Sequence, residues 1–492
     1  MGKEIMIRDL TFSYGGNGNQ LEHISLDIAA GEVIVMTGPS GSGKSSLTRV
    51  INGLIPYFYE GELSGEVFVD GKPLKEIPSW ERGKIAGNVF QDPRSQFFAN
   101  EVAGEIAFGC ENYGYSHEEI RNHVHRAAAD IKIQDILDHS LHSLSYGMRQ
   151  KVAIASAEAI DPEIYVMDEP SANLDIASTY RFADIIRALK QQGKNIIIAE
   201  HRLYYLMDLA DRFLCMQKGK IVREFTAQQM KALSNEEIRA LGLRTPDLHQ
   251  IEQAEIPSAA TSEVVLEVKK LNHSFGETIV AKDIDFQCRK GEVVALIGPN
   301  GTGKSTIGRI LAGLLKEKSG EVVLFGKYCR PKDRLGKVWY IPQDLDSQLF
   351  GEDLLDELTT GAEVSPERKK AAEEILEALE LMPFVKQHPS TLSGGQKQRL
   401  ALGVALMHEA PIIVLDEPTS GLDGTNMRNV SRMIRKLAEM GRTIIVITHD
   451  AECALACCER AMRLESGYIT DDFQIRGAEL LLEKIGYDQK EG

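Results

Sequence analysis

The sequence contains an internal duplication, and this feature limits the possible folds more than any other. A glycine-rich stretch that includes Lys44 returns around Lys304, 304 − 44 = 260 positions later. Further along, Ser64 corresponds to Ser319, a spacing of 319 − 64 = 255, so the first copy carries a short insertion around 56–59. Asp168 then corresponds to Asp416, a spacing of 416 − 168 = 248. Independent matches that recur in one order indicate a repeated domain. A chain of 492 residues is long enough for two such domains.

The repeat predicts two similar domains joined by a connector. We expect the first domain at 1–225, a linker with a short helix at 226–263, and the second domain at 264–492. Ser234 followed by Glu237 is typical of a helix N-terminus inside that linker. Within each copy, short β-branched runs alternate with helical patterns, which predicts an α/β layered fold.

Composition and charge exclude several classes of protein. Acidic residues exceed basic ones by 72 − 56 = 16, which disfavours a partner such as nucleic acid. No apolar run reaches the roughly 18 to 20 residues that cross a bilayer, and the first residues lack the apolar core of a signal peptide. The seven cysteines include no C-x-x-C pair and fit a reducing compartment. We therefore expect a soluble cytoplasmic chain that is not itself a pore.

Each copy carries a phosphate-binding loop between an apolar strand and a helix. The pattern G-x-x-x-x-G-K-S in that context lets main-chain amides wrap phosphates, while Lys44 binds the β/γ oxygens and Ser45 can ligate Mg²⁺. A glycine-rich turn is the alternative, and the second match in the same context disfavours it. The predicted phosphate-binding residues are Gly38, Pro39, Ser40, Gly41, Ser42, Gly43, Lys44, Ser45 and Ser46, with Gly298, Pro299, Asn300, Gly301, Thr302, Gly303, Lys304, Ser305 and Thr306 in the second copy.

A buried strand that ends in two acids follows in each copy. The strands end at Asp168-Glu169 and at Asp416-Glu417. We expect the aspartate of each pair to hold the metal and the glutamate to polarise the water that attacks the γ-phosphate. Solvated acids at a strand end are the alternative, which the upstream loops disfavour.

These motifs together resemble the ATP-binding cassette (ABC) family over nearly the whole chain apart from the connector. The run 392–396, Leu-Ser-Gly-Gly-Gln, is the signature loop of that family. The resemblance implies tandem P-loop NTPase domains of the ABC type, each a mixed-sheet core with a helical subdomain, using ATP and Mg²⁺. It further implies that His201 and His449 are switch histidines, and that Gln91 and Gln343 contact the metal and nucleotide. Tyr14 and Phe275 would stack on adenine, and Asp175 and Asp423 would be the loop aspartates after the acidic pairs. The signature-loop contacts to nucleotide would come from Ser145, Gly147, Ser393, Gly394, Gly395 and Gln396.

The resemblance also implies unequal sites. In this family two cassettes close head to tail, so the Lys44 site would use the intact signature loop beginning at Ser393. The Lys304 site would use the first copy's loop, where Tyr146 replaces a glycine and Met148 replaces a glutamine. A glycine allows close approach to phosphate and an amide can hydrogen-bond. We expect the Lys44 site to carry most of the hydrolysis; the alternative is that both sites turn over alike.

The tracts at 90–97 and 105–112 resemble the fused ATPases of energy-coupling-factor (ECF) transporters, which import vitamins and metal ions. That resemblance implies a transmembrane scaffold (T) subunit, a substrate-binding membrane (S) subunit, and a peripheral position on the cytoplasmic face of the membrane. The loop glutamines are flanked by acids, among them Glu105 and Glu357, which we expect to receive arginines of the scaffold. Plain solvated charge is the alternative reading of these acids.

Three other members of the family are alternatives. Fused ATPases of sugar importers have this length, but they lack the tract at 105–112. A ribosome-associated translation factor also has two cassettes, but its connector would be expected to be long and basic, whereas this connector is acidic. A DNA-repair cassette would divide its halves with a long coiled coil, which the sequence lacks.

Overall fold

The structure is a computed structural model that describes residues 2–15, 18–251, 260–361 and 365–487. The chain divides into two compact units, Met1–Asp247 and Leu248–Gly492. The division falls inside the predicted connector. Each unit is described by itself below.

The first unit contains ten strands and eight helices among its described residues. The strands are β1 Ile5–Ser13, β2 Leu21–Ile28, β3 Val33–Thr37, β4 Glu62–Val69, β5 Lys72–Pro73, β6 Ala86–Val89, β7 Ile164–Asp168, β8 Asn195–Ala199, β9 Arg212–Gln217 and β10 Lys220–Phe225. The helices are α1 Lys44–Ile51, α2 Ser79–Ile85, α3 Val102–Asn112, α4 His117–Ile131, α5 Tyr146–Glu158, α6 Ile176–Gln191, α7 Ala227–Lys231 and α8 Asn235–Ala240.

The strands of the first unit form two sheets. An antiparallel sheet has the order β2-β1-β4-β5, and a six-stranded sheet has the order β10-β9-β3-β8-β7-β6. Strands β9, β3, β8, β7 and β6 run parallel, and β10 is antiparallel at the edge. The carboxyl ends of the parallel strands therefore meet at one edge, where ligands bind in open α/β sheets.

The central strand β3 is apolar along its whole length because both of its faces are covered. Val33 and Val35 pack into the core on the helical side, whereas Ile34 and Met36 pack into the core shared with the antiparallel sheet. Successive side chains of a strand point to opposite faces, so a strand between two cores reads as a continuous apolar run.

Helices α3, α4 and α5 pack against one another and form a helical part of the first unit. Helix α4 begins after Ser116, which forms a capping box with Glu119, and its buried face includes Val124 and Ile131. Helix α5 begins directly after Ser145, so the first signature loop lies at a helix N-terminus.

The second unit repeats this architecture. Its strands are β11 Val264–Phe275, β12 Thr278–Arg289, β13 Val293–Ile297, β14 Ser319–Leu324, β15 Lys327–Tyr328, β16 Val338–Ile341, β17 Ile412–Asp416, β18 Thr443–Ile447, β19 Arg460–Glu465 and β20 Tyr468–Gln474. Its helices are α9 Lys304–Leu311, α10 Pro331–Arg334, α11 Leu354–Thr359, α12 Pro366–Ala378, α13 Gly394–Met407, α14 Gly424–Glu439, α15 Ala451–Cys457 and α16 Ala478–Ile485. The sheet orders are β12-β11-β14-β15 and β16-β17-β18-β13-β19-β20.

The start of the predicted connector packs on the first unit. Helices α7 and α8 place Met230 and Ile238 in its helical-side core, and Leu243 joins the same cluster. The short helix predicted from Ser234 and Glu237 is therefore present as α8. The polar stretch of the connector at 252–259 lies outside the described residues.

Two expectations about the whole chain concern membrane spans and cysteines. Among the residues with described coordinates, no helix is both long and apolar enough to cross a membrane. All seven cysteines are buried free thiols.

Candidate nucleotide sites

The phosphate-binding loop of the first unit connects β3 to α1. Gly38 has φ +138°, and a Cβ atom there would lie 2.1 Å from the carbonyl oxygen of Met216, so only glycine fits this turn. The buried Lys44 ammonium donates to the carbonyl oxygens of Gly38 and Pro39, at 3.0 Å each. The lysine therefore lies beneath the loop that its own main chain forms.

The second unit repeats the loop between β13 and α9. Gly298 has φ +141°, and a Cβ atom there would lie 2.2 Å from the carbonyl oxygen of Leu464. Lys304 donates to the carbonyl oxygens of Gly298 and Pro299, at 2.8 Å each. The sequence therefore builds the same lysine-bearing cradle twice.

Oxygen ligands suited to Mg²⁺ meet beside each loop. Ser45 Oγ donates to Asp168 Oδ1 at 3.1 Å, although the two residues are far apart in sequence. Burial, and then the neighbouring Glu169 carboxylate, raise the pKa of Asp168 to about 6. A cation at this point would neutralise the crowded acids, and Mg²⁺ prefers hydroxyl and carboxylate oxygens. The residues present therefore fit the metal.

The second unit has a similar set of oxygen ligands beside its phosphate-binding loop, with the Tyr340 hydroxyl in addition. Ser305 hydrogen-bonds to Asp416, and burial raises the pKa of that carboxyl group. The hydroxyl of Tyr340 donates to Asp416 Oδ2 at 2.6 Å. The motifs do not identify Tyr340, since the corresponding residue of the first copy is Asn88, which instead accepts a hydrogen bond from Asn52.

The predicted catalytic glutamate of the first unit, Glu169, is held on both carboxylate oxygens. Gln91 Nε2 donates to Glu169 Oε2 at 2.8 Å, and His201 Nε2 lies 3.2 Å from Glu169 Oε1. Glu169 itself has φ +45°, and its amide donates to Ala199 O, so β8 fixes the turn after β7. Three separately predicted residues thus meet at the carboxyl edge of one sheet.

The predicted catalytic glutamate of the second unit, Glu417, has a related environment. His449 Nδ1 lies 2.7 Å from Glu417 Oε1, and Thr448 Oγ1 donates to Glu417 Oε2 at 3.3 Å. Glu417 also has a positive φ of +48°. Each unit therefore brings a histidine to a glutamate that directly follows the aspartate predicted to hold the metal.

The two signature loops differ in how their helices begin. Ser393 forms a capping box in which its amide donates to Gln396 Oε1 at 2.8 Å. Ser145 accepts from the Met148 amide, but Met148 has no side-chain oxygen to return the bond. Because Met148 stands where the second loop has Gln396, the first loop lacks one of the two capping hydrogen bonds.

The remaining predicted residues lie near the loops or cap helices. Tyr14 is held by its hydroxyl, which lies 3.2 Å from Ser46 Oγ and accepts from Arg49 at 3.0 Å. Phe275, at the corresponding position, is exposed and has no hydroxyl to be held in this way. The loop aspartates, Asp175 and Asp423, act as N-caps of α6 and α14.

The motifs in the sequence do not identify a set of buried hydrogen bonds in the first unit, made by Glu200 and Arg202. Glu200 accepts from the Ser171 amide at 3.4 Å and from the Tyr205 hydroxyl at 3.0 Å, and Arg202 donates to Leu174 O at 2.9 Å. These contacts hold the segment after Glu169 against the segment around His201. A comparison of the two copies could have indicated these residues, because the second copy has Thr448 and Asp450 where the first has Glu200 and Arg202.

The expectation that Glu105 and Glu357 face a partner is wrong. Glu105 is only 2% exposed and accepts the amides of Phe98 and Ala99, at 2.8 and 2.9 Å. Glu357 is 8% exposed and accepts the amides of Phe350 and Gly351, at 2.7 and 2.6 Å. Buried acids are stable in a fold when donors satisfy them, and here each shapes the loop after the loop glutamine.

These loops present aromatic side chains to solvent. Phe98 is 73% exposed and Phe350 is 76% exposed, at corresponding positions of the two units. The ring of Phe98 stacks on Phe108 with a centroid distance of 4.7 Å. Aromatic side chains are enriched in protein interfaces relative to the rest of the surface.

The fold and the paired sites define a P-loop ATPase with two nucleotide-binding units. A family model described as "ABC transporter" matches residues 21–172 and 281–420. The chain belongs to this family. Its cofactors are ATP and Mg²⁺.

Relatives and solved structures agree with this assignment. A "Putative ABC transporter ATP-binding protein" of Treponema denticola is 39% identical over 479 residues, covering 96% of this chain and 98% of that protein. The "Putative HMP/thiamine import ATP-binding protein YkoD" of Bacillus subtilis is 31% identical, covering 99% of this chain and 94% of that protein. A solved structure, "Model of ribosome-bound archaeal Pelota and ABCE1", matches with a TM-score of 0.69 at 23% identity, covering 97% of this chain and 80% of that chain. That last likeness is one of fold.

Proposed function

We propose that this chain is the ATP-hydrolysing subunit of an ECF-type importer for a vitamin, metal ion or similar small molecule. It would bind the cytoplasmic face of the membrane through a transmembrane scaffold subunit and a substrate-binding membrane subunit. ATP binding and hydrolysis would change its conformation and thereby drive those partners. A ligand shifts such an equilibrium only if it binds one conformation more tightly than the other.

The observation that carries the ATPase part is the pair of catalytic centres. Glu169 with His201, and Glu417 with His449, are each adjacent to a metal-binding aspartate. Phosphoryl transfer needs positioning and electrostatic stabilisation more than covalent chemistry from the protein. Each glutamate would orient a water molecule, and each histidine would hold the glutamate.

The importer part is supported by the surfaces beside the loop glutamines. The exposed Phe98 and Phe350 stand next to exposed acids such as Glu101 and Glu352. A partner segment with apolar and basic side chains would complement these surfaces. The relative YkoD is named for HMP/thiamine import, which agrees with a vitamin-class cargo.

Unequal turnover of the two centres belongs to the same proposal. The difference between Gln396, which closes a capping box, and Met148, which does not, supports it. We propose that the Glu169 centre carries most of the hydrolysis.

The experiment is affinity purification of the tagged full chain from native membranes. We expect multi-span membrane proteins in fixed ratio to the chain, and we expect the double variant Phe98→Ser and Phe350→Ser to lose them. Phe58→Ser is the matched control, since Phe58 is equally exposed at 73% and also contacts one aromatic neighbour, Tyr59. Recovery of ribosomes without membrane proteins would overturn the importer proposal. Equal recovery with all variants would overturn the role of the two phenylalanines.

A further inference from the structure

The first signature loop contains a tyrosine that reaches into its own unit. Tyr146 stands where the second copy has Gly394. Its hydroxyl donates a hydrogen bond to the main-chain carbonyl of Gln91, and its ring packs against the core of the first unit. The first residue of α5 is therefore bonded to the loop that follows β6.

Gln91 continues this connection to the reacting centre. Its side-chain amide donates to Glu169 Oε2 at 2.8 Å, while His201 holds the other carboxylate oxygen. The contacts thus run from the Tyr146 hydroxyl through the Gln91 main chain and side chain to the catalytic carboxylate. A shift of the loop backbone at Gln91 would move the amide that orients this carboxylate.

A second substitution accompanies the first. Asn173 stands where the second copy has Gly421, and its side chain hydrogen-bonds to Tyr146. The single hydroxyl proton is already donated to Gln91, so the amide of Asn173 is the donor in this bond. Two positions that are glycine in one copy are both filled in the other, and the two side chains contact each other.

The second unit connects the same elements differently. Lys397 on α13 forms an ion pair with Asp346, at 2.6 Å, in the segment after Gln343. The first copy has Arg149 and Arg94 at these positions, and two cations cannot form such a pair. The tyrosine hydroxyl therefore makes in the first unit the connection that an ion pair makes in the second.

We propose that Tyr146 is a positioning residue whose hydroxyl keeps the Gln91 amide on the Glu169 carboxylate. The inference rests on the proposed ATP hydrolysis at this centre. A tyrosine hydroxyl keeps its proton at neutral pH and therefore remains a donor. Tyr146 does not touch the reacting atoms; it acts through Gln91.

The test removes only the hydroxyl, by Tyr146→Phe, in a Glu417→Gln background that leaves the Glu169 centre to be measured. We expect kcat to fall about fivefold, the effect of one lost hydrogen bond, with KM for MgATP unchanged. Tyr113→Phe is the matched control, a tyrosine of the same unit whose ring lies over Lys84 instead. Hydrogen exchange of the amides at 90–98 should speed up in Tyr146→Phe and not in the control.

The outcomes separate the two proposals. An unchanged kcat together with unchanged exchange overturns the positioning role. A rise in KM with constant kcat also overturns it, because Tyr146 would then act on nucleotide binding. If the Glu417→Gln parent has no ATPase activity, the proposed hydrolysis at Glu169 fails, and the exchange comparison still decides whether Tyr146 holds the loop.

Discussion

The carboxylate of Glu357 accepts the main-chain amide of Phe350 at 2.7 Å, and this bond holds an exposed ring on a loop that a buried acid shapes. The first unit repeats the relationship between Glu105 and Phe98. An acid that reads as surface charge in the sequence is thus part of the interior, and the residue available to a partner is the aromatic one.

Removing this buried acid should destabilise its unit. Glu357→Ala leaves the amides of Phe350 and Gly351 without an acceptor, and we expect a loss of about 1 to 3 kcal/mol in unfolding free energy. Denaturant unfolding monitored by circular dichroism measures this. Glu352→Ala, at an exposed acid nearby, should change stability little. Equal stability of the two variants would contradict the structural role of Glu357.

The two glutamates proposed to be catalytic, Glu169 and Glu417, should respond unequally to loss of charge. We expect Glu169→Gln to reduce the steady-state ATPase rate about a hundredfold, because an amide cannot polarise the attacking water. Glu417→Gln should retain most of the activity if the Glu169 centre dominates. Phosphate release by the purified chain with its membrane partners measures both, with Glu236→Gln on α8 as a surface control. Equal losses would contradict the asymmetry.

The metal requirement should depend on the loop serines. Ser45→Ala removes the hydroxyl that hydrogen-bonds to Asp168, so the variant should need a higher Mg²⁺ concentration for half-maximal ATPase. Chelation of Mg²⁺ should abolish hydrolysis in the unmodified chain. Titration of Mg²⁺ at saturating ATP measures the shift. Ser143→Ala, which removes a surface hydroxyl bonded to Ser140 O, is the control and should follow the unmodified curve.

A buried acid that is not among the predicted metal ligands predicts a pH-dependent stability. Burial raises the pKa of Glu158 to about 7, although the Lys194 charge partly opposes the shift, and the Tyr165 hydroxyl bonds to its carboxylate. Between pH about 4.5 and 7 the folded chain holds this proton more tightly than the unfolded chain. Stability therefore decreases as pH rises through that window, by about 3 kcal/mol from this group.

Glu158→Gln should remove that decrease, because the amide carries no charge at any pH. Unfolding free energies at pH 5, 6, 7 and 8 measure it as the difference between variant and parent. Glu111→Gln, at an exposed residue of α3, should keep the parent's pH dependence. Parallel curves for Glu158→Gln and the parent would contradict the prediction.

The sequence by itself determined the duplication and predicted the residues of each nucleotide site. Gly38, Lys44 and Asp168 are identifiable without coordinates, because phosphate and metal binding require particular residue types at fixed short spacings. Helix α4 was also predictable, since its cap and apolar face are local features.

Only the tertiary structure decided the roles that depend on residues distant in sequence. It buried Glu105 and Glu357, brought Tyr340 to Asp416, and turned Tyr146 onto the Gln91 carbonyl. Whether an acid faces water or a pair of amides, and what a tyrosine hydroxyl contacts, depends on how strands and helices pack. Local spacing carries no information about such contacts, so these roles could not be predicted from the chain alone.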